Sequence, residues 1–207
     1  MDYLRDGAEI YRRSFAAIRA ETDLAGLPED IQPIALRIVH ASASPEIAKD
    51  IVFSEGAGLA GKQALSKGAP VFVDCAMAMA GIIKNRLRGN EVLCTLYDPS
   101  VKELAERMQT TRSAAAVELW RPRLDGAVCV IGNAPTALFR LLELIEGGAK
   151  PALILGFPVG FIGAQESKDA LIAHNLGVSF VTLKGRRGGS PMAAAALNAL
   201  TGPEDAS

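Results

Sequence analysis

DGAVCVIGNAPTALFRLLELIEGG, residues 125–148, holds a complete strand-turn-helix unit. Residues 127–131 form a short, wholly apolar run with β-branched Val128, Val130 and Ile131, the pattern of a strand covered on both faces. GNAPT punctuates it, and PTALFRLLELIEGG is helical and stops on glycine. The rhythm continues downstream. PALILGFPVG supplies a strand at 152–155, ESKDALIAHNLG a helix ending in glycine, GVSFVTLKG a strand at 179–183, and SPMAAAALNALTG a final helix. Upstream, GAPVFVDCA and NEVLCTLYD supply strands at 71–75 and 92–97, and VKELAERMQTTRSAAAVELW, rich in helix formers, precedes the quoted unit. The alternation predicts an α/β fold: a three-layer α/β/α arrangement around a five-stranded, mainly parallel sheet.

The first third of the chain has another texture. Ile10, Phe15 and Ile18 recur at roughly helical spacing within residues 3–21, an amphipathic helix expected to pack outside the sheet core. Pro28 then signals a start, and Ile31, Ile34, Ala35 and Ile38 predict a helix through Val39. LRIVHASAS, residues 36–44, therefore leaves His40 at a helix end, where the last carbonyls can orient an imidazole. Pro45 opens a further short helix, PEIAKDIVFS, and the closing PEDAS reads as a frayed tail. No linker or low-complexity tract divides the 207 residues, so one domain over 1–207 is expected.

Composition excludes several classes of function. With 22 Lys plus Arg against 23 Asp plus Glu, the net charge is -1, and no basic stretch makes a nucleic-acid footprint. Asp2, Arg5 and Asp6 interrupt any leader-like apolar run, and no stretch approaches the length of a membrane span, so a cytoplasmic protein without a membrane partner is expected. Cys75, Cys94 and Cys129 are odd in number, far apart and flanked by apolar residues, which predicts reduced, mostly buried thiols, with no compact metal-ligand cluster nearby.

Open parallel sheets collect ligands beyond the C-terminal ends of their strands. The exits here carry Asp74, Asp98-Pro99, the turn from Gly132 and Asn133 to Thr136, the turn from Gly156 to Gly160, and Gly185-Arg186-Arg187-Gly188-Gly189-Ser190. Glycines admit a large ligand close to the backbone, helix starts present open amides, and Thr136 and Ser190 are expected caps; together they predict an anion-binding rim. GNAPTAL is not GxGxxG, GRRGGS lacks the Lys-Ser or Lys-Thr of a phosphate loop, and no GxSxG elbow occurs. His174, within DALIAHNLG, reads as a surface or packing residue.

Taken in order, YRRSFAAIRAE, RIVHAS, GNAPTAL, GFPVGFIGAQESKDAL and GRRGGSPMAAAALNAL resemble the precorrin-8X methylmutase family over nearly the whole chain. The resemblance implies an isomerase that needs no cofactor and moves a methyl group from C11 to C12 of a corrin precursor, giving hydrogenobyrinate, or cobyrinate when cobalt is present. It also implies that His40 is the proton donor and that the enzyme is a homodimer. The family often places glycine where this chain has Ala43. The polycarboxylate substrate would be held by Gly132, Asn133, Thr136, Arg186, Gly188, Gly189 and Ser190, with Arg112 first among the cations and Lys84 and Arg86 also candidates. Two other readings share these residues. A corrinoid-acid binding protein would leave the absorbance of substrate unchanged, and a nucleotide-dependent oxidoreductase would bind a nicotinamide.

Overall fold

In the computed structural model, residues 1, 3–174 and 177–202 are described. The helices are α1 (Gly7–Glu21), α2 (Gln32–Ser42), α3 (Ala57–Ser66), α4 (Ala76–Gly81), α5 (Val101–Met108), α6 (Arg112–Glu118), α7 (Pro135–Glu146), α8 (Ala164–Ala173) and α9 (Ser190–Asn198). The strands are β1 (Ile51–Phe53), β2 (Val71–Val73), β3 (Val92–Leu93), β4 (Val128–Ile131), β5 (Leu153–Gly156) and β6 (Phe180–Leu183). They form one sheet in the order β1-β6-β5-β4-β2-β3, parallel except for β1, which runs antiparallel on β6.

The apolar runs are explained by the two cores they serve. Val71, Val73, Val128, Val130, Leu153, Leu155, Val181 and Leu183 enter a core shared with α2, α3, α4 and α9. Their neighbours Phe72, Cys129, Ile131, Ile154 and Phe180 enter a second core shared with α6, α7 and α8. Successive strand residues point to opposite faces, and both faces are covered, so the strands are apolar on both sides apart from Thr182, whose buried hydroxyl donates to the Gly156 carbonyl.

Three expectations need correction. The sheet has six strands: residues 51–53, read as the end of a helix, pair with β6, and only Pro45–Asp50 coils, as a 3-10 turn. Ile-Val-Phe is a strand-favouring triplet whose pairing covers the outer edge of β6. Thr95–Tyr97, expected within a strand, is a 3-10 turn. The long helical stretch before Trp120 is broken at Gln109, which has φ 50°, into α5 and α6. Residues 175–176 of the DALIAHNLG helix and the PEDAS tail lie outside the described residues.

α2 and α9 pack against each other in opposite directions along one face of the sheet. α9 starts beside Gly132 at the exit of β4, and just past its end Leu200 meets Gly61 beside Leu153 at the start of β5. α2 starts after Asp30, which receives the amides of Gly58 and Leu59, and delivers His40 toward the turn that begins β1. Because Ile51 pairs with Leu183, that turn stands at the C-terminal edge of the parallel strands. His40 and the glycine turns are thereby brought to one side of the sheet.

Candidate functional site

At the exit of β2, Asp74 is buried, 3% exposed, and its carboxylate accepts the amides of Gly132 at 2.8 Å, Asn133 at 2.9 Å and Ala134 at 2.7 Å. The open amides expected to receive a substrate carboxylate thus already hold one from the chain itself. Burial pushes the Asp74 carboxyl up, and the three amides pull it back without cancelling that push. The nest fixes the GNAPT turn, from which Thr136 reaches the Thr111 hydroxyl at 2.7 Å.

The capping expectation fails at both hydroxyls. Ala134 and Gly189 occupy the N-cap positions of α7 and α9, and neither makes a side-chain cap. Thr111 is the residue that caps, accepting the amide of Ala114 at the start of α6, which places Arg112 beside the GNAPT turn. Ser190 instead contacts the Cys75 thiol at 3.1 Å. Burial first, and then the Asp74 charge, push that thiol up, so it rests protonated and hydrogen-bonded.

Two glycines are sterically required in this rim. A Cβ on Gly132 would stand 2.8 Å from the Ser190 Cα, and one on Gly188 would stand 2.5 Å from the Phe157 carbonyl oxygen. The GRRGGS turn is further pinned from below by Lys168, a fully buried lysine of α8 whose Nζ donates to the Arg187 carbonyl at 2.5 Å. Burial pushes this amine down to about 8. Arg187 pairs with Glu46 at 3.4 Å and, more closely, with Asp50, while Lys184 donates its amide to the Asp50 carbonyl. Arg186 is exposed and lies over the Phe161 ring at 5.5 Å.

The same 45–50 turn borders His40. Pro45, Val39 and Ala43 line a cleft of about 300 Å³ with His40 and, from α1, Ser14 and Glu21. The imidazole stacks on Phe15 with ring centroids 5.0 Å apart, and its Nδ1 is 3.4 Å from the Ser14 hydroxyl. With Nδ1 facing Ser14, Nε2 is the nitrogen left for a ligand. Desolvation and, after it, the charge of Arg37 hold the imidazole below its ordinary value of 6.5. Ala43 ends α2 in the left-handed region at φ 51°, ψ 33°, the conformation for which the corresponding glycine of the family is suited.

The predicted residues therefore divide. Gly132, Asn133, Thr136, Arg112, Arg186, Gly188, Gly189 and Ser190 gather on the C-terminal side of the sheet with His40. Lys84 and Arg86 follow α4 toward the opposite edge: Ile83 donates its amide to Asn198 near the end of α9, and Arg86 lines a cleft with Pro33, Leu65 and Leu200. Sequence reading missed Asp74 as the occupant of the amide nest, Lys168 as a pin, and Ser14 and Phe15 as the setting of His40. An acid immediately after a buried strand, and a lysine inside an otherwise core-facing helix turn, were the available signals. Among the described residues, no cluster of His, Cys, Asp or Glu is arranged to hold a metal ion, and no helix is long and apolar enough to cross a membrane.

Fold and site define an open α/β protein with a histidine-bearing helix end beside a glycine-rich rim at the C-terminal edge of its parallel strands. A family model for precorrin-8X methylmutase matches residues 9–202. The precorrin-8X methylmutase of Pseudomonas aeruginosa is 55% identical over 97% of each chain, and that of Sinorhizobium sp. is 53% identical over 98% of this chain and 97% of its own. The cobalt-precorrin-8 methylmutase of Priestia megaterium is 39% identical over 93% and 86%. The solved precorrin-8X methylmutase of Thermus thermophilus superposes with a TM-score of 0.86 at 41% identity, covering 94% of this chain and 95% of that one. The chain belongs to the precorrin-8X methylmutase family, isomerases that carry out the methyl shift to hydrogenobyrinic acid in cobalamin biosynthesis.

Proposed function

We propose that this enzyme moves the methyl group from C11 to C12 of metal-free precorrin-8X and that His40 donates the proton that accompanies the shift. The observation that carries the reading is the setting of His40: an exposed imidazole at the open end of α2, stacked on Phe15 and lining the cleft, with Nδ1 beside Ser14 and Nε2 not engaged by it. A migration within one molecule needs no external nucleophile. It needs a macrocycle held in one geometry and a proton delivered to one place, for which an imidazole stacked on an aromatic ring is suited. Free substrate acid groups are gathered by the rim, with Arg112 and Arg186 as the exposed cations and Asn133 and Thr136 beside them. The Asp74 nest and the Lys168 pin keep that rim in place; they do not touch ligand.

The metal-free substrate is favoured because the two relatives above half identity carry the precorrin-8X name, whereas the Priestia relative at 39% carries the cobalt name. The His40 cleft is at the small end for a ligand site, so one sector of the macrocycle fills it and the remainder lies on neighbouring surface. Exposed Val159, Phe161 and Ile162 at the same edge support assembly as a cytoplasmic homodimer that covers this apolar loop. The test is to incubate the purified protein separately with precorrin-8X and cobalt-precorrin-8, following visible spectra and product mass. Conversion of precorrin-8X to a product of unchanged mass is expected; binding without spectral change would leave a corrinoid-binding protein, and preferential conversion of the cobalt form would reverse the substrate assignment. Sedimentation at micromolar concentration tests the dimer.

A further inference from the structure

Arg37 is a buried charge whose burial no ion pair explains. It lies on α2 three residues before His40 and is only 6% exposed. Its Nε and Nη2 are buried without a hydrogen-bond partner, and no ion pair among the described residues includes it. Two aromatic rings of α1 hold it instead: its Cζ stands 5.3 Å from the Phe15 centroid and 5.6 Å from that of Tyr11. The His40 ring occupies the same aromatic shelf, 5.0 Å from Phe15 and 6.2 Å from Tyr11. Contact with aromatic faces recovers only part of what it costs to take an unpaired cation out of water. An apolar side chain would pack between α1 and α2 without that cost, so the charge itself calls for a role.

We propose that Arg37 is a positioning residue for the methyl shift, a fixed positive charge without a neutralising anion that favours the His40 imidazole once it has given up its proton. The inference rests on the proton-donor role of His40 proposed above. It is consistent with what else faces the ring. From α1 come Tyr11 and, on the cleft wall, Glu21. The 45–50 turn brings Glu46, Lys49 and Asp50, of which both acids are paired with Arg187. α9, packed along α2, contains no ionisable side chain. Arg37 is therefore the cation that shares an aromatic shelf with the imidazole, and its own burial leaves little water on its side to screen the charge. The influence runs in the direction already noted for His40, which burial and Arg37 together hold low. A more readily released proton is gained in exchange for a smaller protonated fraction at neutral pH.

The chain has two histidines, so His174→Gln leaves one imidazole signal to follow by proton NMR during a pH titration. In that background, Arg37→Met removes the charge while keeping an unbranched apolar stem, Arg37→Lys keeps the charge, and Arg37→Gln is a second neutral replacement should Met disturb α1. The His40 midpoint is expected to move up in both neutral variants and to stay with the parent in Arg37→Lys. The alkaline limb of single-turnover conversion should move up by the same amount. An unmoved midpoint in the neutral variants, or an equal rise in Arg37→Lys, would overturn the proposal and assign Arg37 to packing alone. The titration is read without substrate, so it stands apart from any failure of the methyl-shift reading. A midpoint that moves while the conversion profile stays fixed would overturn the catalytic half of the inference.

Discussion

Replacing Asp74 by alanine removes the one acceptor shared by three backbone amides, of which those of Gly132 and Ala134 belong to buried residues. A buried donor left without an acceptor costs about 1–3 kcal/mol, while the amide of exposed Asn133 can turn to water. Two such donors give about 2–6 kcal/mol, and the removal of a carboxylate that burial disfavours returns part of it. A net loss of about 2–4 kcal/mol is expected. For a chain of this size that corresponds to a fall in Tm of roughly 4–16 °C. Urea and thermal unfolding followed by circular dichroism give the value directly. Asp74→Asn keeps the shape but offers one acceptor oxygen and turns an N–H₂ toward amide donors, so it should recover little of the loss. Stability within about 0.5 kcal/mol of wild type for both variants would refute the assignment of Asp74 as the keystone of the GNAPT turn, because surface substitutions fall in that range.

Other consequences are as specific. Ala43→Gly relieves a left-handed alanine and should stabilise by about 0.5–1 kcal/mol after the entropy of glycine is counted, measured by urea denaturation. Gly132→Val places a branched side chain where a single Cβ already meets the Ser190 Cα at 2.8 Å, so product affinity by fluorescence or absorbance titration should fall while the His40 titration by NMR stays near wild type. Lys168→Met removes the bond to the Arg187 carbonyl and should weaken ligand binding more than global stability, since an apolar side chain suits the buried stem while the turn loses its pin. Equal binding by wild type and Lys168→Met would show that the GRRGGS turn holds itself.

Most of the sheet was legible because its signals are local. Runs such as VCVI and LILG are apolar at every position, and a glycine stop marks α7 between them, whereas α8 ends earlier than the glycine of DALIAHNLG, at Ala173 with His174 as its cap. β1 was not legible, because three residues at a sheet edge carry no period of their own and acquire strand character from pairing with β6. The break at Gln109 was hidden for a different reason: it is a left-handed C-cap closed by local bonds from the Gln109 and Thr110 amides to the Ala105 carbonyl, but glutamine stands where glycine would have signalled it. For the site, the family resemblance supplied the role of His40, and the glycine turns were visible as a rim. Their contents were not visible, since Asp74 meets its amides across 58 to 60 residues, Lys168 meets Arg187 across 19, and Ser14 meets His40 across 26. A pairwise contact over such separations leaves no trace in spacing or composition.

The most direct measurement is single-turnover conversion of precorrin-8X by wild type, His40→Ala and His40→Asn across pH, beside the equilibrium affinity of each for hydrogenobyrinate. His40 supplies little of the contact area of a large macrocycle, so both variants should fold and bind product, while conversion falls by about two to four powers of ten. Because burial and Arg37 hold the imidazole below 6.5, wild-type conversion that requires the protonated ring should decline as pH rises through a value below that figure. Asparagine retains a hydrogen bond but no proton of comparable acidity, and should remain impaired. Near-normal conversion by a folded, product-binding His40→Ala enzyme would contradict the assignment of His40 as the proton donor.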